Sequence, residues 1–417
     1  MGRFFFFVTE KKRIFAVEKN TTIMQEFTFQ NPVRVHFGHE KLALIGKELS
    51  QYGKRVLLTY GGGSIKKIGL YDRVVEAVKE AGMELFELGG IEPNPRVSSV
   101  REGARLCKEH KIDVLLAVCG GSTIDCTKWI AAAACVEHDA WDFFDYEKKT
   151  HVERALPIVS ILTLSATGSE MDSGGVISNP DTNDKRGRLS PLLFPKVSFL
   201  DPTLTYTVSP YQTACGSADI FSHLMEVYFT TDQSMYLLDT FIEGMMRTVV
   251  RYAPVAMREP ENYEARANLM WASSWAINGL VGCDHPQAWS CHPMEHELSA
   301  VYDITHGHGL AILSPRWLEY CISDETLPKM AQFGINVFGI EPTMPQKEIA
   351  TRAIDALAHF LFDTLGLQRT LPEVGIVDET HFDSMAAKAV LPYGGNLPGF
   401  RTLTQEDVIA IYRMCMK

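Results

Sequence analysis

The chain has 417 residues, 46% hydrophobic and 22% charged, which excludes a disordered chain and, at about 150 residues per domain, predicts two or three domains. Its 40 Lys and Arg against 51 Asp and Glu leave a formal charge of −11, which gives no electrostatic footing for nucleic acid or an anionic membrane. No apolar run approaches the roughly 18 residues of a membrane span, and the balance fits a soluble cytoplasmic enzyme.

Residues 1–23 are poorly patterned. Their longest apolar run, FFFFV at 4–8, is too short for a span or a secretory core. The pattern of a folded domain begins near Met24, a candidate start codon, so 1–23 reads as a leader with a targeting role left open. From there β-branched runs alternate with helical stretches. A strand at 54–60 (KRVLLTY) runs into 61–64 (GGGS), and a helix is predicted at 70–81 from apolar residues at 3–4 spacing. A second strand at 83–88 and a loop at 89–96 (GGIEPNPR) lead to a helix at 98–110. A third strand at 114–119 meets Gly120, Gly121 and Ser122, then a helix at 123–134. Repeated strand–loop–helix units imply a parallel sheet with helices on both faces.

Beyond about residue 205 the texture changes. Helical patterns at 213–230, 235–252, 263–280 and 347–365 dominate, and strand candidates nearly vanish. The division predicted is a dinucleotide-binding α/β domain over 24–205 and a helical domain over 206–417, with the boundary in the proline-interrupted stretch 200–210 (LDPTLTYTVSP). The nine cysteines are odd in number, irregular in spacing and free of CxxC, which reads as reduced thiols in a reducing compartment. Zinc ligation by Cys283 and Cys291 is a weaker alternative.

Two loops, 61–64 and 120–122, share one setting: a strand, small residues, then a helix. Backbone N–H groups and a helix N-terminus cradle phosphate in that setting. Neither loop is GxGxxG or GxxxxGK[ST]. One such loop alone is most simply a tight turn; two on one predicted sheet favour a dinucleotide. An NAD site usually offers a carboxylate to the adenosine ribose, whereas Gly62, Gly63 and Ser64 offer none and Lys66 and Lys67 follow. That composition suits a 2′-phosphate and favours NADP over NAD, unless the lysines are simply a solvated helix face.

Five of the 13 histidines lie between 285 and 308: His285, His292, His296, His306 and His308. Asp219 and His223 stand at i, i+4, as do His292 and His296, which puts each pair on one helix face. His306 is followed by Gly307 and Gly309 lies near it. A lone histidine on an apolar face is usually core; two such pairs and a Gly-flanked histidine suit Zn²⁺ or Fe²⁺ with a position open for substrate. HPMEH is not HExxH, because Glu295 directly precedes the second histidine, so a zincin protease reading fails.

Taken together, GGGS at 61–64, GGSTIDCTK at 120–128, TLSATGSE at 163–170, LDP at 200–202, ADIFSH at 218–223 and HPMEHELSAVYDITHG at 292–307 resemble the iron-containing (metal-dependent, group III) alcohol dehydrogenases. The branch resembled is the NADPH-dependent butanol dehydrogenase and aldehyde reductase type, from about Phe27 to the C-terminus. The resemblance implies a Rossmann-like dinucleotide-binding domain, an all-α metal-binding domain and an active site in the cleft between them. It implies metal ligation by Asp219, His223, His292 and His306, with His296 near substrate and a catalytic candidate. It puts Gly120, Gly121, Ser122 and Asp125 on the pyrophosphate loop and Thr163, Thr167 and Lys185 at the nicotinamide half. Gly62, Gly63 and Ser64, with Lys67 beside them, fall at the adenosine 2′-phosphate. A homodimer, NADP(H) and one Fe²⁺ or Zn²⁺ per chain complete the implication.

Three departures stand out. Cys119 takes the place of the first glycine of the usual GGGS, Leu164 replaces a threonine of the usual PTTAGTGSE, and His308 is an extra histidine. Trp141, Phe143, Phe144 and Trp289 are pocket candidates whose plainer role is core packing. The activity implied is reduction of short to medium aldehydes and oxidation of the corresponding primary alcohols, butanal and butanol among them. Within the fold, glycerol-dehydrogenase-like and dehydroquinate-synthase-like enzymes are alternatives. The latter suits clustered Lys or Arg near the metal, and 215–230 and 283–310 contain neither. An inactive metal- or nucleotide-binding protein is the non-catalytic alternative.

Overall fold

A computed structural model describes residues 26–230, 236–283 and 289–417. The leader expected at 1–23, and His285, lie outside the described residues. Eight strands form in the first half: β1 (Arg34–Phe37), β2 (Arg55–Tyr60), β3 (Glu84–Leu88), β4 (Val114–Cys119), β5 (Ile158–Leu162), β6 (Gly174–Asn179), β7 (Asp184–Leu189) and β8 (Val197–Leu200). Six of them make one parallel sheet in the order β1-β8-β5-β4-β2-β3.

Side-chain alternation decides which face each residue covers. Val56, Leu58, Val114 and Leu116 pack on α1 (Ile45–Leu49) and α3 (Leu70–Glu80) through Ile45, Leu49, Leu70, Val74 and Val78. Leu57 and Leu115 face the other way, onto α4 (Val97–Glu109) and α5 (Gly121–Ala133). Burial on both faces is why these strands are nearly continuous apolar runs. The strand order reverses between β2 and β4. In open α/β sheets the crevice beyond the carboxyl ends of such a pair binds ligand, and the glycine loops at 61–64 and 120–122 are the segments that follow β2 and β4. They lie side by side: a Cβ on Gly61 would come within 3.2 Å of Cys119 Sγ.

The two loops are not equivalent. Helix α5 has 13 residues, but the helix after the first loop, α2 (Ser64–Lys67), has four. The expectation of a helix N-terminus at both loops therefore holds at 120–122 only, because one turn sums few peptide dipoles.

After β8 the chain is mainly helical, with one short antiparallel pair at Asn396–Leu397 and Leu403–Thr404: α6 (Pro210–Tyr228), α7 (Tyr236–Arg258), α8 (Tyr263–Ile277), α9 (Cys291–Tyr302), α10 (His306–Tyr320), α11 (Leu327–Phe338), α12 (Gln346–Ala358), α13 (Phe382–Val390) and α14 (Gln405–Met414). Every residue of α6 from Thr213 to Tyr228 is buried, with α7, α8 and α10 packed around it. Three expected boundaries move. Helix α7 runs past Tyr252 and through Pro254 to Arg258; buried Ala253 and Ala256 pack there and offset the bond the proline cannot donate. Helix α8 stops at Ile277, and α12 gives way after Ala358 to π-helical turns over His359–Thr364.

Strands β5 to β8 occupy a stretch where no element is expected from periodicity. The antiparallel hairpin β6–β7 lies outside the main sheet and touches both α5 and α9. Its segment, GGVISNPDTNDKRGRL at 174–189, is rich in glycine and charge, so it lacks a strand's apolar alternation. No described helix is long and apolar enough to cross a membrane. Leu116, fully buried on the central strand β4, tests the sheet core: Leu116→Ala should cost about 2–5 kcal/mol of stability in urea denaturation.

Candidate active site

Asp219 and His223 share one face of α6, and the side chains of α9 and α10 close around them. The Nε2 atoms of His223, His292 and His306 lie 3.6, 3.9 and 3.6 Å from Asp219 Oδ1. These separations are long for hydrogen bonds. They match ligands around one ion, since atoms about 2.1 Å from a tetrahedral centre stand about 3.4 Å apart. One donor atom each from Asp219, His292 and His306 lies within 4.8 Å of the other two. Asp219 Oδ1 and His292 Nε2 are buried with no hydrogen-bond partner. A buried carboxylate oxygen and a buried imidazole nitrogen facing each other unsatisfied are costly, and a divalent cation satisfies both. The residues therefore fit a metal.

Two carboxylates to which the sequence reading gave no orienting role, Glu226 and Glu295, hold these imidazoles. Glu226 Oε1 accepts from His292 Nδ1 at 2.9 Å and from the His292 backbone N–H at 2.6 Å. Glu295 Oε2 accepts from His306 Nδ1. With Nδ1 holding the proton, Nε2 presents its lone pair toward Asp219. The signal was present: Glu226 continues the Asp219–His223 stripe at i+7, and Glu295 lies at i+3 from His292. Burial alone would raise the Glu295 carboxyl, but the facing His306 and Lys185 hold it well below the usual carboxylate range.

Lys185 arrives from β7. Its Nζ stands 3.3 Å from Glu295 Oε2 and 3.4 Å from His306 Nδ1. The absence of Lys and Arg from the metal segments thus does not mean their absence from the site, because a distant hairpin brings one in. Lys388 of α13 docks that hairpin by donating to the carbonyls of Thr182 and Asn183 at 3.0 and 2.9 Å and to Asp184 at 3.2 Å. His296 is beside the same group, its ring 5.6 Å from that of His306. Burial first, then the charge of Lys185, pushes its imidazole well below the usual range, so it is neutral at pH 7.

His306 is placed by both halves of the chain. It opens α10 after Asp303, which takes a left-handed φ of 52°. Asn94 and Arg96, beyond β3, donate to Asp303 at 2.9 Å each. Gly307 lets α10 rest on α6: a Cβ there would lie 2.0 Å from the Cys215 carbonyl oxygen. The extra histidine, His308, bonds to Tyr211 and to the Gln368 carbonyl instead, which removes it from contention as a ligand. Cys291 is buried in the helical core, where burial raises its thiol well above the ordinary value. It joins no cluster of metal donors among the described residues.

Close packing links the second glycine loop to the helix that carries Asp219. Gly121 lacks the Cβ that would strike Thr167, and Gly216 lacks the one that would lie 2.3 Å from the Ser165 carbonyl oxygen. The loop 163–170 is thus wedged between the start of α5 and α6, one turn before Asp219. The Thr163 N–H donates to Cys119 O at 3.0 Å. Above Gly62 and Gly63 there is open space, and Gly63 takes a left-handed φ of 96°. Ser122 lies in the first turn of α5, after Gly120 and Gly121. This open, glycine-lined crevice over the start of α5 fits a dinucleotide phosphate.

Asp125 departs from the expectation that it lines the phosphate loop. Its oxygens accept from Ser169 Oγ and from the Val176 N–H, and burial raises its carboxyl to about 6. It ties α5 to the loop and to β6. Of the aromatic candidates, Phe143 and Phe144 pack on Trp129 in the sheet-side core and Trp141 stacks on Phe144. Trp289 alone among the four abuts the cluster, 4.6 Å from the His292 ring and 5.5 Å from that of His223.

A buried Asp/His centre beside a two-loop dinucleotide crevice defines a metal-dependent, nicotinamide-linked oxidoreductase. Family models agree: residues 32–202 match "Iron-containing alcohol dehydrogenase" and 213–416 match "Fe-containing alcohol dehydrogenase family, C-terminal". The chain belongs to the iron-containing alcohol dehydrogenase family. It is 48% identical over 390 residues to NADH-dependent butanol dehydrogenase A of Clostridium acetobutylicum, covering 94% of this chain and 99% of that one. It is 40% identical over 356 residues to the NADPH-dependent aldehyde reductase YqhD of Escherichia coli, covering 85% and 90%. The crystal structure of NADH-dependent butanol dehydrogenase A from Thermotoga maritima superposes with a TM-score of 0.90 at 37% identity, covering 95% of this chain and all of that one.

Gly307→Ala should push His306 away from Asp219 and weaken metal binding roughly tenfold or more in chelator competition; unchanged affinity would refute the role of that close approach. A second expectation concerns pH. Burial drives His223 down to about 3, against 6.5 for a free imidazole. The unfolded chain therefore takes up this proton first. The metal-free protein should keep its full His223 contribution above about pH 6.5 and lose it between there and pH 3, at up to about 1.4 kcal/mol per pH unit. Urea denaturation at pH 7 and pH 5 checks this, with a shallower loss expected in His223→Asn.

Proposed function

We propose that this chain is a metal-dependent, NADP(H)-linked alcohol dehydrogenase and aldehyde reductase for short to medium primary alcohols and aldehydes such as butanol and butanal. The observation that carries the reading is the unsatisfied pair Asp219 Oδ1 and His292 Nε2, faced by His223 and His306. Asp219, His223, His292 and His306 are the proposed ligands of one Fe²⁺ or Zn²⁺. Gly120, Gly121 and Ser122 are proposed for the pyrophosphate, Thr163, Thr167 and Lys185 for the nicotinamide half, and Gly62, Gly63, Ser64 and Lys67 for the adenosine end. The absence of a carboxylate from 61–64 supports NADPH, and the relatives divide between the two coenzymes by name. The same reading divides the chain near residue 205 and carries a cytoplasmic homodimer with a small alcohol or aldehyde as partner.

When bound, the metal supplies Lewis-acid polarisation of the substrate oxygen and the nicotinamide supplies or accepts hydride. The chain's residues do the rest. Glu226 and Glu295 hold the His292 and His306 rings in the ligating tautomer. Lys185, paired with Glu295, braces the carboxylate that orients His306. His296, held neutral, relays a proton between the alcohol oxygen and solvent. Trp289 supplies an apolar wall, which discriminates chain length weakly, at roughly 1–3 kcal/mol per methylene. A dehydroquinate-synthase-like reading gains little from Lys185, because that lysine is already paired with Glu295.

The test is anaerobic purification with elemental analysis, then butanal reduction with NADPH and with NADH before and after chelation. Turnover should vanish on chelation, return with metal, and favour NADPH. The metal assignment falls if His292→Ala and His306→Ala both keep wild-type turnover and metal content. Metal and nucleotide binding without reduction of any carbonyl would replace this reading with the lyase or binding-protein alternative.

A further inference from the structure

The adenosine end of the crevice holds a charge pair that neither loop motif contains. Tyr60 is the last residue of β2, directly before Gly61, and Glu87 lies near the carboxyl end of the neighbouring β3, in register with Leu58. The Tyr60 hydroxyl donates to Glu87 Oε2 at 3.1 Å, and the Tyr71 hydroxyl donates to Oε1 at 2.6 Å. The two rings meet edge-on, 5.9 Å apart. Lys66 Nζ sits over both, 5.0 Å from the Tyr60 centroid and 4.6 Å from that of Tyr71. The segment after β3 is bound to the glycine loop, with Gly90 N–H donating to Gly61 O at 3.1 Å and Ile91 N–H to Tyr60 O at 3.2 Å. The tyrosine pair thus fixes one carboxylate by its hydroxyls and one ammonium by its faces, beside Gly62–Ser64.

General chemistry of dinucleotide sites says what such a carboxylate does. About twenty residues beyond a phosphate-side glycine loop, at the end of the next strand, an acid accepts from the ribose 2′-hydroxyl and repels a 2′-phosphate. Glu87 lies one strand further out than that position, on β3, but bonds to Tyr60, the residue that leads into the adenosine-end loop 61–64. Its carboxylate comes from β3, so an inventory confined to 61–67 misses it. Lys66 opposes it with a charge that attracts a phosphate dianion.

We propose that Glu87 and Lys66 are opposing coenzyme-selectivity determinants, Glu87 favouring the 2′-hydroxyl of NADH and Lys66 the 2′-phosphate of NADPH. The inference rests on the nicotinamide-linked reading above and deepens it. It predicts that both coenzymes serve this chain and that their ratio is set by these two side chains rather than by the glycine loop alone.

The test measures dissociation constants of NADPH and NADH by nicotinamide fluorescence, and kcat/KM for both, in the metal-loaded protein. Glu87→Gln, whose amide oxygen accepts from one tyrosine while its NH2 donates to the other hydroxyl, should raise the NADPH:NADH affinity ratio about two- to fivefold, the range of one partly exposed charge interaction. Lys66→Gln should lower it by a similar factor, and both effects should shrink at high salt. Glu84→Gln, at the opposite end of β3, should leave the ratio unchanged. Bound nucleotide with a ratio unmoved by Glu87→Gln and Lys66→Gln, or moved equally by Glu84→Gln, overturns the inference while leaving the function intact. A wild-type protein that binds neither nucleotide overturns both.

Discussion

The structure is organised around one buried carboxylate. Asp219 lies inside the helical half with an oxygen that no protein donor satisfies. An unpaired charge in such surroundings is strongly unfavourable. Three imidazoles point at it instead of a lysine or arginine, and they are useful there only as neutral ligands to a cation. Burial of His223 keeps it neutral. The bonds from His292 to Glu226 and from His306 to Glu295 hold each ring with its free nitrogen inward. A metal held there would couple stability to occupancy, because the groups proposed to bind it are the ones that burial penalises without it.

The geometry around Asp219 depends on close backbone approaches. Gly307 lets α10 lie on α6, and Gly216 lets the loop 163–170 lie on the other side of the same helix. Gly121 brings that loop against the start of α5. Three glycines thus let α5, the loop 163–170, α6 and α10 pack in close succession from the loop after β4 to the Asp/His cluster. This is a mechanical requirement: hydride transfer needs the two reacting carbons within a fraction of an ångström of their productive placement.

Much of this was readable before any coordinates. The periods of the apolar residues gave the right element types for β2 to β4 and for α3 to α6, with ends shifted by up to about three residues. Spacing of i, i+4 put Asp219 with His223 and His292 with His296 on shared faces, because helix geometry is local. Other contacts were unreadable for the converse reason. Lys185 reaches Glu295 across a hairpin whose glycine-rich, charged sequence hides its strands. Asp125, placed by motif on the phosphate loop, turns inward because Ser169 and Val176 offer it donors from a segment more than forty residues away.

By itself the sequence determined the alternation of strands and helices from β2 to α5, the change to a helical second half, and the i, i+4 spacing of Asp219 with His223 and of His292 with His296. Those features follow from local periodicity and from residue types with few other uses. Only the tertiary structure decided which histidines converge: His308 is taken up by Tyr211 and Gln368, while His306, two residues earlier, faces Asp219. It also decided that Glu226 and Glu295 bond to the His292 and His306 rings, that Lys185 meets Glu295 and that Glu87 bonds to Tyr60. Each depends on which distant segments the parallel sheet and the buried helix α6 bring together. Sheet order and helix packing are set by the sum of many apolar contacts along the chain, and no short motif encodes them.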